Sequence, residues 1–188
     1  MLPIDGYGLL PVTEVDPNLL TAFHCGKPHL DEFLVQAPEF HRDRLGLSTV
    51  AFHRDVPGVV GYFTLANDAL PLTSAEQFEL NVNAGLKAYP AVKLGRLAVA
   101  QHLQRCGVGR QLVAFIHGEI LDSASLSAAR LVIVDADADP QILAFYQSIG
   151  YQESLWAESQ AKHTSVGKKS TVSPTVKMIK DILGNVSV

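Results

Sequence analysis

The sequence predicts a single α/β (α+β) domain, and three observations carry that reading. The chain has 188 residues, the size of one ordinary domain. With 47% hydrophobic and 18% charged residues it can bury a core, which excludes disorder, collagen-like repeats and a disulfide-stapled miniprotein. Short apolar runs of strand character alternate along the chain with segments of helical periodicity, and no internal repeat interrupts them.

The elements follow in order. Gly8 to Val15 reads as a first strand, and Asp16-Pro17 then supplies an N-cap and a proline at the first helical position of a short helix through Phe23. Leu30, Phe33, Leu34, Ala37, Phe40, His41 and Arg44 fall on one helical stripe. Pro38 lies inside that stripe and kinks or splits it, because proline donates no amide hydrogen. Ser48 to Arg54 and Val59 to Leu70 are strand-like, and Pro57-Gly58 suits the middle of a type II turn between them. A short helix capped by Ser74 is expected within Thr73 to Tyr89. Ala91 to Val99 reads as a strand, Gly107 to Asp122 as a helix and Arg130 to Asp135 as a buried strand. Pro140 to Ile149 is a helix ended by Gly150, followed by strands at Tyr151 to Trp156 and Pro174 to Ile182. The polar, serine-rich and threonine-rich residues 157–173 read as a mobile loop within the single domain 1–188.

Charge and composition narrow the function. Fifteen basic against 19 acidic residues give a net charge of −4, so no global basic field draws in a polyanion. No apolar run reaches the roughly 18 residues of a membrane span, and the start lacks a basic-then-apolar leader, so a cytoplasmic protein without a membrane partner is expected. Cys25 and Cys106 lack CxxC spacing and read as reduced thiols. His102, His117 and His163 have no metal-ligand spacing, and neither a G-x-S-x-G elbow nor an H-E-x-x-H pair occurs, so no metal site is expected.

The informative segment runs from Lys93 to Arg110. A strand ends near Val99, a loop follows, and Gly107 and Gly109 stand where the next helix begins, so backbone amides converge on one point as an anion cradle. Arg105 and Arg110 add positive charge. A dinucleotide-binding turn fails because Leu112 stands where a third glycine belongs, and a Walker loop fails because Lys162 stands five residues before Gly167. Gly107 and Gly109 taken alone are turn and cap residues. A pyrophosphate would fit such a cradle.

The pattern Gln104-x-x-Gly107-x-Gly109 resembles that of the GCN5-related N-acetyltransferases (GNAT). A second resemblance covers Asp139 to Tyr151, with the aromatic pair Phe145-Tyr146, three residues, then Gly150-Tyr151. The likeness implies a mixed, mostly antiparallel sheet of six to seven strands flanked by helices, with the fourth and fifth strands parallel and splayed. It implies acetyl-CoA as co-substrate. Gln104, Arg105, Cys106, Gly107, Val108, Gly109 and Arg110 would hold its diphosphate, Leu97, Ala98 and Val99 would pair with its pantetheine arm, and Asp139 would stand at an arm-contacting position where the family often has asparagine. By the same resemblance Tyr146 protonates the departing thiolate, and a backbone amide near Val99 stabilises the oxyanion. No glutamate stands in the strand Ala91 to Val99 to deprotonate the acceptor, which leaves water, Asp135 or Asp137. The expected reaction is direct attack of a primary amine on the thioester, the acceptor being a small amine or a peptide. An α-amine is mildly favoured because its pKa of about 8 lies closer to neutrality than that of lysine.

The front end carries a narrower likeness. Cys25-Gly26, Leu30-Asp31-Glu32-Phe33-Leu34 and Gly61-Tyr62-Phe63-Thr64-Leu65 are similar to GNAT toxins of toxin–antitoxin pairs, which acetylate the amino group of aminoacyl-tRNA. That alternative implies an antitoxin partner and a basic face built from Arg42, Arg44, Arg96, Arg105, Lys162, Lys168 and Lys169. A third reading is a non-catalytic module that binds CoA and regulates. The family resemblance also implies a homodimer.

Overall fold

The computed structural model describes residues 2–82, 84–122, 128–165 and 175–184. The strands are β1 (Tyr7–Pro11), β2 (Leu47–His53), β3 (Val56–Leu70), β4 (Tyr89–Val99), β5 (Leu131–Asp137), β6 (Gln152–Glu153) and β7 (Thr175–Asp181). They lie in the order β1-β2-β3-β4-β5-β7-β6, with β4 and β5 parallel and the mixed sheet flanked by helices. The helices are α1 (Pro17–Thr21), α2 (Pro28–Arg42), α3 (Ser74–Glu79), α4 (Val108–Asp122), α5 (Pro140–Gln147) and α6 (Leu155–Ser165). The chain forms two compact units, Met1–Ala66 with Leu94–Asp122 and Asn67–Lys93 with Ser123–Val188. It passes between them within β3, within β4 and after α4. None of the helices is long and apolar enough to cross a membrane, among the described residues.

In the first unit, Val12, Leu20, Phe23, Leu34, Ala37, Val50, Tyr62 and Ala98 make one core cluster. Ala51, Val60, Val108 and Leu112 make another, with Leu97 and Val99 packed against it. Asp16 caps α1 through a 2.9 Å bond from the Asn18 amide. Helix α2 runs unbroken through Pro38, so the cost there is the amide hydrogen bond that proline cannot make.

Three element boundaries differ from the sequence reading for tertiary reasons. The first strand stops at Pro11, and Val12–Glu14 forms a 3₁₀ turn that buries Val12. The hairpin turns at Arg54-Asp55, with Pro57 and Gly58 already inside β3 and His53 paired with Val56. His53 fixes that site: it is buried, its Nδ1 accepts the Asp55 amide at 3.1 Å, and the Arg54 amide bonds the Gly6 carbonyl at 3.0 Å. β5 runs on through Asp137, two residues past the expected strand end at Asp135.

In the second unit, Leu70, Leu72, Tyr89, Ala91, Leu131, Ile133 and Ile179 form the core, with Trp156 against them. Thr73, not Ser74, caps α3, in a reciprocal capping box with Glu76. Glu76 is fully buried: Oε2 accepts from the Thr73 amide (2.7 Å) and hydroxyl (2.9 Å), and Oε1 from the Leu155 amide (2.8 Å) and the Ser154 hydroxyl (3.3 Å). That carboxylate starts α6, so residues 157–165 are helical where a loop is expected, and β6 shrinks to two residues. The rest of the expected loop, 166–173, lies outside the described residues.

Candidate active site

The first unit carries the cradle. Strand β4 ends at Val99, and Gln101–Leu103 form a 3₁₀ turn. Arg105 (φ 64°) and Gly107 (φ 86°) adopt left-handed backbone, costly for the arginine and free for the glycine. The Gln111 amide donates to the Gly107 carbonyl at 3.2 Å, so the helical ladder begins there. The amides of Val108 and Gly109 therefore stand in the first turn, where an α-helix offers no internal acceptor. Buried Val108 anchors this end, the first turn holds no acidic residue, and Arg105, Cys106 and Arg110 are exposed. A site of that kind suits an anion, since about half an elementary charge from the helix dipole adds to the arginines.

The Gln104 side chain does something else. Its Nε2 donates to the Cys25 carbonyl at 2.7 Å and to the Val99 carbonyl at 3.1 Å. A primary amide has two N–H hydrogens, and both are used on the protein itself.

The second unit carries Tyr146. Asp139 caps α5, its Oδ1 accepting the Gln141 amide at 2.8 Å and the Ile142 amide at 3.4 Å. The spacing of the aromatic motif is a helix ending. Gly150 is left-handed (φ 88°), its amide donates to the Gln147 carbonyl at 3.0 Å, and the Tyr151 amide donates to the Tyr146 carbonyl at 3.1 Å. These two bonds and the Tyr146–Tyr151 ring contact, with centroids 5.3 Å apart, make up a Schellman motif. Lys180 completes it by donating to the Ile149 carbonyl at 2.7 Å. Tyr146 is 6% exposed. Burial, reinforced by the Asp137 carboxylate, holds its hydroxyl well above the ordinary phenol range, so it is a neutral donor at every physiological pH.

Of the two aspartates considered for taking up the acceptor's proton, Asp135 is occupied. Lys93 Nζ lies 2.5 Å from its Oδ2 and Lys177 Nζ 2.6 Å from its Oδ1, a clamp across three neighbouring strands. Burial alone raises its pKa, but hydrogen bonds from Lys177 and Lys93 outweigh that and hold it below the usual carboxylate range. It is a poor base. The sequence reading missed this clamp.

Cys25 is buried and Cys106 exposed. Burial first, then its bond to Asp31, pushes the Cys25 thiol up to about 11. No cluster of three metal-ligating side chains occurs among the described residues.

Comparison with known proteins assigns the family. AtaT complexed with acetyl-methionyl-tRNAfMet is similar in fold, with a TM-score of 0.71 at 20% identity over 93% of this chain and 94% of that one. A bacterial toxin gives 0.70 at 17% over 93% and 91%. AtaTR bound with AcCoA gives 0.68 at 21% over 95% of both chains. Residues 50–153, more than half of the sequence, match the acetyltransferase (GNAT) domain family, and the chain belongs to that family of acetyl-CoA-dependent acetyltransferases.

Proposed function

We propose that this acetyltransferase moves the acetyl group of acetyl-CoA to the α-amino group of an aminoacyl-tRNA, as the toxin of a toxin–antitoxin pair. The observation that carries the reading is the end-to-end likeness to AtaT, whose solved complex contains acetyl-methionyl-tRNAfMet and whose fold spans 93% of this chain. The front-end residues Cys25-Gly26 and Leu30 to Leu34 point the same way.

Acetyl-CoA supplies an activated acetyl thioester and a leaving thiolate. The amides of Gly107, Val108 and Gly109, with Arg105 and Arg110, hold its diphosphate; the exposed Cys106 belongs to the same loop by backbone alone. The backbone of Leu97, Ala98 and Val99 pairs with the pantetheine arm at the end of β4. A backbone amide near Val99 stabilises the oxyanion, and the Val99 carbonyl accepts from Gln104. Asp139 acts on the arm through the helix start it caps. Tyr146 donates to the thiolate, a role its neutral hydroxyl suits. With Asp135 clamped, water or Asp137 is left to take the acceptor's proton, which an α-amine near pKa 8 gives up more readily than a lysine near 10.4.

Thiol release from acetyl-CoA, assayed against charged tRNA, free amines and peptides, tests the reading. Acetylation of aminoacyl-tRNA that weakens steeply with salt supports it. Acetylation confined to a small amine or peptide favours the second reading, which the net charge of −4 supports. Arg42, Arg44, Arg96 and Arg105 are exposed in one unit, whereas Lys168 and Lys169 and the Lys162 side chain lie outside what is described. A cytoplasmic homodimer with an antitoxin partner completes the proposal; light scattering alone and with the product of a neighbouring reading frame checks it.

A further inference from the structure

The Cys25-Gly26 and Leu30-Asp31 residues take no part in the proposed chemistry, yet they are tied to the turn that carries Gly107. Gln104 Nε2 joins the Cys25 carbonyl (2.7 Å) to the Val99 carbonyl (3.1 Å), and the Gln101 amide donates to the His24 carbonyl at 2.9 Å. The His24–Gly26 segment is thus bonded to both ends of the turn after β4. Asp31 fixes the segment from the other side. Its Oδ1 accepts the Cys25 amide at 2.8 Å, and its Oδ2 lies 2.7 Å from His24 Nδ1. The Asp31 side chain is 17% exposed and that of His24 64%, so the contact to Cys25 is the sheltered one. Gly26 turns the segment with φ +84°, and a Cβ there would stand 3.5 Å from the side-chain Nε2 of Gln101. The start of α2 is itself held, because buried Tyr62 donates from its hydroxyl to the Leu30 carbonyl at 2.8 Å.

The cradle needs such support. Two left-handed residues, Arg105 and Gly107, follow Gln104 within three positions, and a non-glycine residue keeps that conformation only where its surroundings impose it. We propose that Asp31 and Gln104 are positioning residues for the diphosphate cradle: Asp31 fixes the His24–Gly26 segment, and Gln104 clamps that segment to the end of β4, which sets where the amides of Gly107 to Gly109 stand. Gln104 does not itself grip phosphate, because both its hydrogens are taken and its remaining carbonyl oxygen repels an anion. The inference rests on the cradle reading above.

Calorimetry with coenzyme A, and kcat/KM with acetyl-CoA beside S-acetylpantetheine, which lacks the diphosphate, test it. Gln104→Leu and Asp31→Ala should weaken coenzyme A binding at least tenfold, and their loss in kcat/KM should be at least fivefold greater with acetyl-CoA than with S-acetylpantetheine. Asp31→Asn, which keeps an acceptor for the Cys25 amide, should restore coenzyme A affinity to within threefold of the wild type. Equal losses with both donors would mean a general structural role and overturn the proposal, as would unchanged coenzyme A affinity in Gln104→Leu and Asp31→Ala. Gly107→Val separates the two levels. If it loses coenzyme A while Asp31→Ala keeps it, only the positioning role falls; if Gly107→Val also binds normally, the cradle falls.

Discussion

Gly61 on β3 offers a direct probe of how tightly β4 is held. A Cβ built there would stand 2.7 Å from the Ala98 carbonyl oxygen and 2.9 Å from Leu112 Cδ1. The leucine methyl can rotate, but the carbonyl belongs to the backbone of β4. Restoring an ordinary contact of about 3.4 Å requires the strand to retreat by about 0.7 Å, the difference from 2.7 Å. That movement also stretches the 3.0 Å bond from the Ala100 amide to the Val60 carbonyl. Overpacking of this kind costs about 1–3 kcal/mol, which in a domain of this size lowers Tm by about 2–12 °C. The displaced residues, Ala98 and its neighbour Val99, are those proposed to pair with the pantetheine arm. A misplacement approaching 1 Å is worth up to roughly 100-fold in rate, so Gly61→Ala should lower kcat/KM for acetyl-CoA at least tenfold. Gly8→Ala is the control, since a Cβ there meets nothing within 4 Å. Scanning fluorimetry and a thiol-release assay read both effects. A Gly61→Ala protein matching Gly8→Ala in Tm and kcat/KM would refute the close-approach argument.

Further outcomes follow from other features. Tyr146→Phe should lower kcat by about 10²–10⁴ with little change in the KM for acetyl-CoA, as expected for a proton donor; an unchanged kcat removes the role. Because the Tyr146 hydroxyl titrates well above the ordinary phenol range, kcat/KM for an α-amine acceptor should rise with pH to a plateau near the amine's pKa of about 8 and stay flat to about pH 10. A descending limb between these values would implicate another acid. Glu76→Ala removes the acceptor of four hydrogen bonds in a buried site and should cost roughly 3 kcal/mol in urea unfolding. Asp135 has a folded pKa below its unfolded one, so its stabilisation is present above about pH 4 and is lost as pH falls through the lower, folded value. The Tm difference between the wild type and Asp135→Asn should therefore narrow in acid. In the native protein a thiol reagent should modify exposed Cys106 and spare buried Cys25, which mass spectrometry distinguishes.

Local chemistry made much of the fold legible. Asp16-Pro17 and Asp139-Pro140 read as helix starts, and both aspartates accept the expected amides. Gly150 read as a helix end, and it is left-handed. What escaped depended on partners remote in sequence. Pro57-Gly58 is a good turn dipeptide, but buried His53 places the turn three residues earlier. Helix α6 hides in a polar stretch of 157–165 because its first amide is satisfied by Glu76, 79 positions away. In the candidate site, the glycine spacing marked a helix start and the aromatic pair a helix end, which the structure builds with left-handed Gly107 and Gly150. The use of Gln104, however, depends on a carbonyl 79 residues earlier in the chain, and the clamp on Asp135 on a lysine 42 residues later. No local pattern carries either.

The pair of hydrogen bonds made by Gln104 also states what the protein can accept at that position. The slot faces two carbonyl oxygens, so it calls for a side chain presenting two N–H hydrogens on a stem of about glutamine's length, and an anionic or aliphatic replacement fails for lack of them. A saturation library at position 104, selected on acetyl transfer, should therefore converge on glutamine and discard glutamate, although glutamate is the nearest in shape.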